Sequence, residues 1–293
     1  MTMNVLVVLH RNVDLDAIIS AYIFYLRGDI RSIDAVITEN RLECFLKVFN
    51  VGKIYVLDMP LKPEIKELAE RHGVEIEHYD HHDGSAPSTA QILYEKFKDQ
   101  LPEWVKYLVE LANFSDTGQI LRLPAPVKYF HLTGYINALR TGGKTDDEII
   151  AYVFPILDDY GAMLQKLVEA EKLVEDIEIY EVGGEKKLKV AIVENKPHTV
   201  NQILFEHKNV DFIIFKDGNN LGVTRNALID QPDLNKLRPH LKKMFEEKGK
   251  PEEFEEWFFH PAGFLVARGT RKHPAKTPSV LNPYDLLTLL AKL

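Results

Sequence analysis

Four short segments in the first half of the chain concentrate aspartate and histidine. They are His10 with Asp14 and Asp16, then Asp58 after Ile54–Leu57, then Asp80-His81-His82, and finally Asp116 in Phe-Ser-Asp-Thr-Gly. Each reads as the C-terminal end of an apolar strand or the loop that follows it. Hard oxygen and imidazole donors without sulfur suit Mn2+, and also Zn2+, Co2+ or Fe2+, better than an all-oxygen calcium cage. Carboxylates brought together repel one another unless cations sit between them. For about six such donors, two metals are more economical than one. Roughly 3.5–4 Å apart, they share a bridging carboxylate, activate a bridging water and clamp both oxygens of an in-line phosphoryl displacement.

A common scaffold is needed to bring these segments together. Asn4–Leu9 is a continuous apolar run, as expected for a strand buried on both faces. Ala17–Leu26 reads as an amphipathic helix, Ile33–Thr38 and Ile54–Leu57 as short apolar runs, and Leu61–His72 as a helix stopped by Gly73. Val74–Tyr79 is another strand. Ser88 and Gln91 form a capping-box pattern into Ile92–Phe97. Strands alternating with helices predict a parallel α/β sheet, with ligands bound beyond the carboxyl ends of its strands. Residues 102–152 are mainly helical, and Asp158–Ile179 reads as a long connecting helix. Beyond Gly183-Gly184 the alternation resumes, with strands at Leu188–Val193, Val210–Phe215 and Leu221–Thr224 and helices at Thr199–His207 and Asp233–Lys248. The expected domains are 1–160, a linker helix over 161–184, and a smaller α/β domain over 185–293.

Composition narrows the function. The 293 residues are 45% hydrophobic, enough for a sizeable core, and carry a net charge of −8. That charge disfavours non-specific DNA binding, which relies on Lys and Arg, although bound metals could still present positive charge to an anionic substrate. The single cysteine, Cys44, allows neither an intrachain disulfide nor a thiolate metal cage. No stretch approaches the roughly 18 apolar residues of a membrane span, and the N-terminus reads as a strand rather than a signal peptide. A soluble, cytoplasmic protein with no membrane partner is expected.

The pattern H-x-x-x-D-x-D over His10–Asp16, a strand ending in Asp58, the triplet Asp80-His81-His82, and Asp116-Thr-Gly118 together resemble the DHH phosphoesterase family. All four of its motifs appear in order over residues 10–118. Residues 16–20 resemble the family's opening helix, and Ser88-Thr89-Ala90 its helix after the triplet. The resemblance implies one metal on His10, Asp14 and a bridging Asp58, and a second on Asp16, Asp58, His81 and Asp116. It implies two Mn2+ ions, with Co2+, Mg2+ or Zn2+ as substitutes. Asp80 would orient a neighbouring histidine. His82 would face the scissile phosphate as hydrogen-bond donor or general acid. A hydroxide bridging the metals would be the nucleophile, without a covalent intermediate. Val13 and Leu15 stand where members often have Pro and Gly; both changes spare the ligands.

The second half resembles the DHHA1 substrate-binding domain more loosely. Phe258-Phe259-His260-Pro261-Ala262-Gly263-Phe264 stands in place of G-G-G-H-P, with phenylalanine where the glycines fall. Phe259, His260 and Gly263 are then candidate substrate contacts, and an aromatic there could stack on a base at about 1–3 kcal/mol. Arg225, Arg268 and Arg271 are candidate phosphate contacts, the last two in a basic run with Lys272, His273 and Lys276. Purely structural readings compete: aromatics more often pack in a core, and Asp146-Asp147-Glu148 reads as a helix N-terminal cap.

The chain is thus expected to be an α/β phosphoesterase or phosphodiesterase, a parallel-sheet DHH domain plus a DHHA1-like domain with the active site in the cleft between them. It would be similar to nanoRNase, pAp phosphatase and cyclic-di-AMP phosphodiesterase members. Its substrates would be short oligoribonucleotides, cyclic dinucleotides or 3′-phosphoadenosine 5′-phosphate. Its partners would be a small nucleotide or short single-stranded RNA or DNA, and a second copy in a homodimer. The rivals are a single-strand exonuclease, a pyrophosphate or polyphosphate hydrolase and, from another class, a nucleotide sensor without turnover.

Overall fold

The computed structural model describes residues 5–184 and 187–293. Asn4, expected to open the first strand, lies outside them, as does Glu185, the expected first residue of the second domain. The chain divides into two units, Met1–Gln165 and Lys166–Leu293.

In the first unit the apolar run after Asn4 forms β1 (Val5–Leu9), buried over Leu6–Leu9. Helix α1 (Leu15–Leu26) follows, and β2 (Val36–Thr38) is preceded by a short 3-10 turn, the two together covering what the sequence read as one apolar run. Then come α2 (Leu42–Val48), β3 (Lys53–Leu57), α3 (Pro63–His72), β4 (Glu75–Tyr79), α4 (Thr89–Phe97) and α5 (Val105–Asp116). Helix α3 ends at Gly73, whose φ of 66° is the left-handed conformation that glycine adopts freely. The strands form a wholly parallel sheet in the order β2-β1-β3-β4. Because β1 is flanked by β2 and β3, successive crossovers leave it in opposite directions, and the switch falls between β1 and β3. A crevice opens at such a point, beyond the carboxyl ends of the strands. Apolar side chains of α1 fill the core beneath it: Ile18, Ile19, Ile23 and Phe24 are fully buried.

Helices α6 (Ala125–Tyr129), α7 (Leu132–Thr141) and α8 (Asp146–Val174) follow. Helix α8 runs from the first unit into the second. It stops at Val174, short of the 161–184 expected, and Ile179–Val182 form strand β5 instead.

The second unit carries β5, β6 (Leu188–Glu194), α9 (His198–His207), β7 (Phe212–Asp217), β8 (Asn220–Arg225), α10 (Arg238–Glu247), β9 (Phe258–Phe259), β10 (Leu265–Arg268) and α11 (Pro283–Leu290). Its sheet runs β5-β6-β7-β8-β10-β9 and is antiparallel except for β6-β7. Alternation along the strands buries both faces. Leu188, Val190, Phe212 and Ile214 pack with Leu241 and Phe245 of α10 and Leu286 and Leu289 of α11. Val193 and Ile213 pack on the other face with Val200 and Leu204 of α9. Among the described residues, no helix is long and apolar enough to cross a membrane.

Candidate metal centre

Strand register places three site residues in a row. Leu9 pairs with Leu57, and Leu57 with Tyr79, at the ends of β1, β3 and β4. The next residues, His10, Asp58 and Asp80, therefore emerge side by side beyond the carboxyl edge of the sheet. Asp58 adopts a left-handed φ of 57°, a conformation that aspartate tolerates better than most residues. Its N–H still donates to Tyr79 O at 2.9 Å, so the last rung of the ladder is kept while the side chain turns toward the crevice.

Helix α1 brings two more carboxylates. Asp14 is its N-cap, and Oδ1 accepts the Ala17 N–H at 3.0 Å. That leaves Oδ2 facing His10 Nε2 at 3.7 Å. Asp16, in the first turn, is 1% exposed. Its Oδ2 and Oδ1 accept the Thr89 and Ala90 N–H groups of α4 at 2.7 and 2.9 Å, the donors a helix N-terminus leaves free. Ser88 caps that helix by accepting from the Gln91 N–H. The Gln91 side chain does not return to complete the expected box, because its Oε1 accepts from Asn113.

The last carboxylate arrives on a helix, in keeping with the mainly helical reading of residues 102–152 but not with a strand end. Asp116 is the final residue of α5, a helix and not a strand. It nevertheless reaches the cluster: His81 Nε2 lies 3.2 Å from Asp116, 3.4 Å from Asp58 Oδ1 and 3.8 Å from Asp16. On the other side, His10 Nε2 is 3.3 Å from Asp58 Oδ2. His10, Asp14 and Asp58 can offer ligand atoms within 4.8 Å of one another, and so can Asp16, His81 and Asp116, and Asp58, His81 and His82.

The electrostatics fit cations between these side chains. Asp58 and Asp16 are 2% and 1% exposed, two nearly dry carboxylates in one pocket. Burial and the neighbouring Asp58 push Asp16 up to about 8, against the pull of the two α4 amides. Burial and Asp58 also raise Asp116, against His81. Burial lowers His10, but hydrogen bonds to Asp14 and Asp58 outweigh it and push it up to about 11. Protons are thus retained where positive charge is wanted. A divalent cation can take that place, and four carboxylates with two imidazoles and no sulfur form a donor set that can hold one.

The Asp80 carboxylate is directed to a histidine of its own triplet. It holds His82, with Oδ1 2.5 Å from Nδ1, and that hydrogen bond raises the His82 pKa. His82 is half-exposed.

The candidates in the second unit divide. Phe259 lies in the core beside Phe254, with Arg238 over its ring, so it is a packing residue and offers no face to a base. Phe258, its neighbour on the opposite face of β9, is half-exposed. Arg268 is 2% exposed and spends its donors on Glu256 and Thr277, which removes it as a substrate contact. Arg225 donates to the Asp230 and Pro232 carbonyls and braces that loop. Gly263, at φ 69°, forms a turn so close to Asp233 that a Cβ would meet its carboxylate at 2.1 Å. His260 and Arg271 line a cavity of about 800 Å³ together with Phe215, Phe258, Phe264 and Lys196. Lys196 and Phe215 carried no motif that sequence could expose; the fold brings them there from β6–α9 and β7.

No family model matches the chain, and no curated protein matches it. Solved structures similar to it include an uncharacterized protein from Helicobacter pylori G27, at 13% identity over 99% of this chain and 98% of that one, TM-score 0.28. The DHH domain of a member of the s1p family of ribosomal proteins shares 11% identity over 98% and 86%, TM-score 0.34. An exopolyphosphatase-related protein from Bacteroides fragilis shares 11% over 99% and 91%, TM-score 0.30.

Proposed function

We propose that the chain is a metal-dependent phosphoesterase acting on small nucleotides: short oligoribonucleotides, cyclic dinucleotides or 3′-phosphoadenosine 5′-phosphate. The observation that carries this reading is Asp58, whose Oδ2 faces His10 at 3.3 Å while Oδ1 faces His81 at 3.4 Å. A buried carboxylate presented to two ligand groups is suited to being shared. Divalent cations held by these residues would supply an activated water and neutralise charge on the phosphoryl oxygens.

The chain's own residues would do the remaining work. His10 and Asp14 on one side, and Asp16, His81 and Asp116 on the other, hold the ligand atoms in place. His82 stands beside them with Nδ1 fixed by Asp80, and its raised pKa keeps a proton available on Nε2 for the leaving oxygen.

The second-unit cavity supports the nucleotide part of the proposal. Phe215, Phe258 and Phe264 offer aromatic faces, and Lys196, Lys216 and Arg271 offer positive charge. Its volume of about 800 Å³ falls within the range of small-molecule pockets, about 300–1,000 Å³. That favours a small nucleotide over the long strand of an exonuclease. The aromatic faces count against bare pyrophosphate or polyphosphate, which would need only cations.

A hydrolysis panel tests this. The full chain is incubated with Mn2+, or with chelator, and a dinucleotide, cyclic di-AMP, 3′-phosphoadenosine 5′-phosphate, pyrophosphate and polyphosphate. Manganese-dependent hydrolysis of a nucleotide is expected. Turnover of the inorganic substrates alone would overturn the substrate class. No turnover of any would leave a nucleotide sensor as the better reading.

A further inference from the structure

The loop between β1 and α1 delivers His10 and Asp14, and it is held from far along the chain. The loop turns through Asn12 at a left-handed φ of 58°. The Asn12 and Val13 N–H groups donate to Oδ2 and Oδ1 of Asp146 at 3.0 and 3.2 Å. The Val13 carbonyl accepts from Arg140 Nη2 at 2.6 Å. Two successive amides and the next carbonyl are therefore gripped by side chains 127 to 134 residues away.

Asp146 is available for this because its neighbours cap α8 without it. The Glu148 N–H donates to Thr145 Oγ1 at 3.3 Å, and Glu148 Oε2 accepts the Thr145 N–H at 2.9 Å, a reciprocal capping box. Asp147 turns away to Arg41. Of the acidic run 146–148, which sequence reads as one helix cap, Glu148 alone completes the box, while Asp146 reaches across to the loop.

We propose that Asp146, acting with Arg140 on the same loop, is a positioning residue for the His10, Asp14 and Asp58 ligand group. The inference rests on the metal reading above. A carboxylate that accepts two consecutive amides fixes the backbone between them, and with it the separation of His10 from Asp14. Removing it leaves the exposed Asn12 N–H to water, the part-buried Val13 N–H without its acceptor, and a left-handed turn without support. Groups that orient metal ligands without touching the metal typically account for about 10–100-fold in metal affinity.

The test is Mn2+ titration of the full chain, read by electron paramagnetic resonance, for the unaltered protein and the Asp146→Ala, Asp146→Asn and Asp147→Ala variants. The unaltered protein should bind two ions. Asp146→Ala should weaken one of them about 10–100-fold. Asp146→Asn, which keeps one acceptor and the shape, should fall between and decides the matter if the alanine variant does not fold. Asp147→Ala removes the same charge from the same turn and should leave both ions within about twofold, well under that range. Unchanged binding in both Asp146 variants, or an equal loss in Asp147→Ala, would overturn the positioning role and leave the metal reading standing. Absence of Mn2+ on the unaltered protein would overturn both.

Discussion

Thr89 donates its hydroxyl to Asp58 Oδ1 at 3.0 Å, the oxygen that lies 3.4 Å from His81. Both residues are buried, and the Thr89 N–H is also committed, to Asp16 at 2.7 Å. One residue at the start of α4 thus sets the orientation of two carboxylates. Thr89→Val keeps the shape and the backbone donor but loses the hydroxyl. A hydrogen bond to a charged acceptor contributes about 1.5–3 kcal/mol, and loss of such an orienting partner costs about 10–100-fold in activity. We expect a stability loss of that order in urea unfolding and a fall in manganese-dependent rate. No change in either measurement would mean that the hydroxyl does not orient Asp58.

Asp58→Ala removes the carboxylate that faces both His10 and His81. Turnover should fall more than about 100-fold, and at least one ion should be lost from the Mn2+ titration. Metal that binds only the folded state raises the melting temperature, so the upward shift on adding Mn2+ should shrink as well. Retained turnover would exclude a shared role for this residue.

Metal uptake should release protons. His10 is pushed up to about 11 and Asp16 up to about 8, so at pH 7 both hold protons before the metal arrives. Ligands must be deprotonated to bind. Raising the pH toward and through about 8 therefore removes a competing proton at Asp16, and apparent affinity should rise over that window. Lowering the pH below 7 should weaken binding. Calorimetry at pH 6.5 and 8.5, in buffers of different ionisation enthalpy, measures both effects. A buffer-independent heat would contradict the protonated ligand set.

What sequence could reveal here follows the range over which each signal acts. His10, Asp58 and Asp80 are legible because each follows an apolar run, and a parallel sheet brings the ends of such runs together. Asp116 lies in a stretch that reads as mainly helical, and the same Asp-Thr-Gly turn can close a strand or, as here, a helix, so its place at the end of α5 is only partly legible. Asp146 is illegible: its partners are loop amides 133 and 134 residues earlier, and a backbone amide has no letter in the sequence. Phe258 and Phe259 differ only in which face of a two-residue strand each occupies, and that depends on the pairing of β9 with β10.

That pairing separates two alanine variants. Phe258 lines the cavity and is half-exposed, so Phe258→Ala should leave the fold intact and weaken nucleotide binding by about 1–3 kcal/mol, roughly 5–150-fold in KM. A generic aryl phosphodiester should be less affected. Phe259 sits in the core, and truncating it should cost about 3–5 kcal/mol of stability. The comparison needs urea unfolding and KM for both variants. If Phe258→Ala changed neither KM nor substrate preference, the cavity would not be the base site.

His82 and Asp80 yield a prediction whose sign is fixed. The hydrogen bond to Asp80 is the largest influence on His82 and raises its pKa, while partial burial opposes it. A general acid works only while protonated, so activity should decline on the alkaline side as pH rises through that pKa. Asp80→Asn removes the negative partner and lowers the His82 pKa, so the alkaline limb of the kcat/KM profile should move to lower pH. The acidic limb, which reports ligand deprotonation, should stay where it was. His82→Gln should abolish the alkaline limb and lower the rate by about 10²–10⁴-fold on substrates with a poor leaving group, and much less on a nitrophenyl ester that needs no proton. A profile unmoved by Asp80→Asn would show that His82 is a spectator, and the leaving oxygen would have to take its proton from elsewhere.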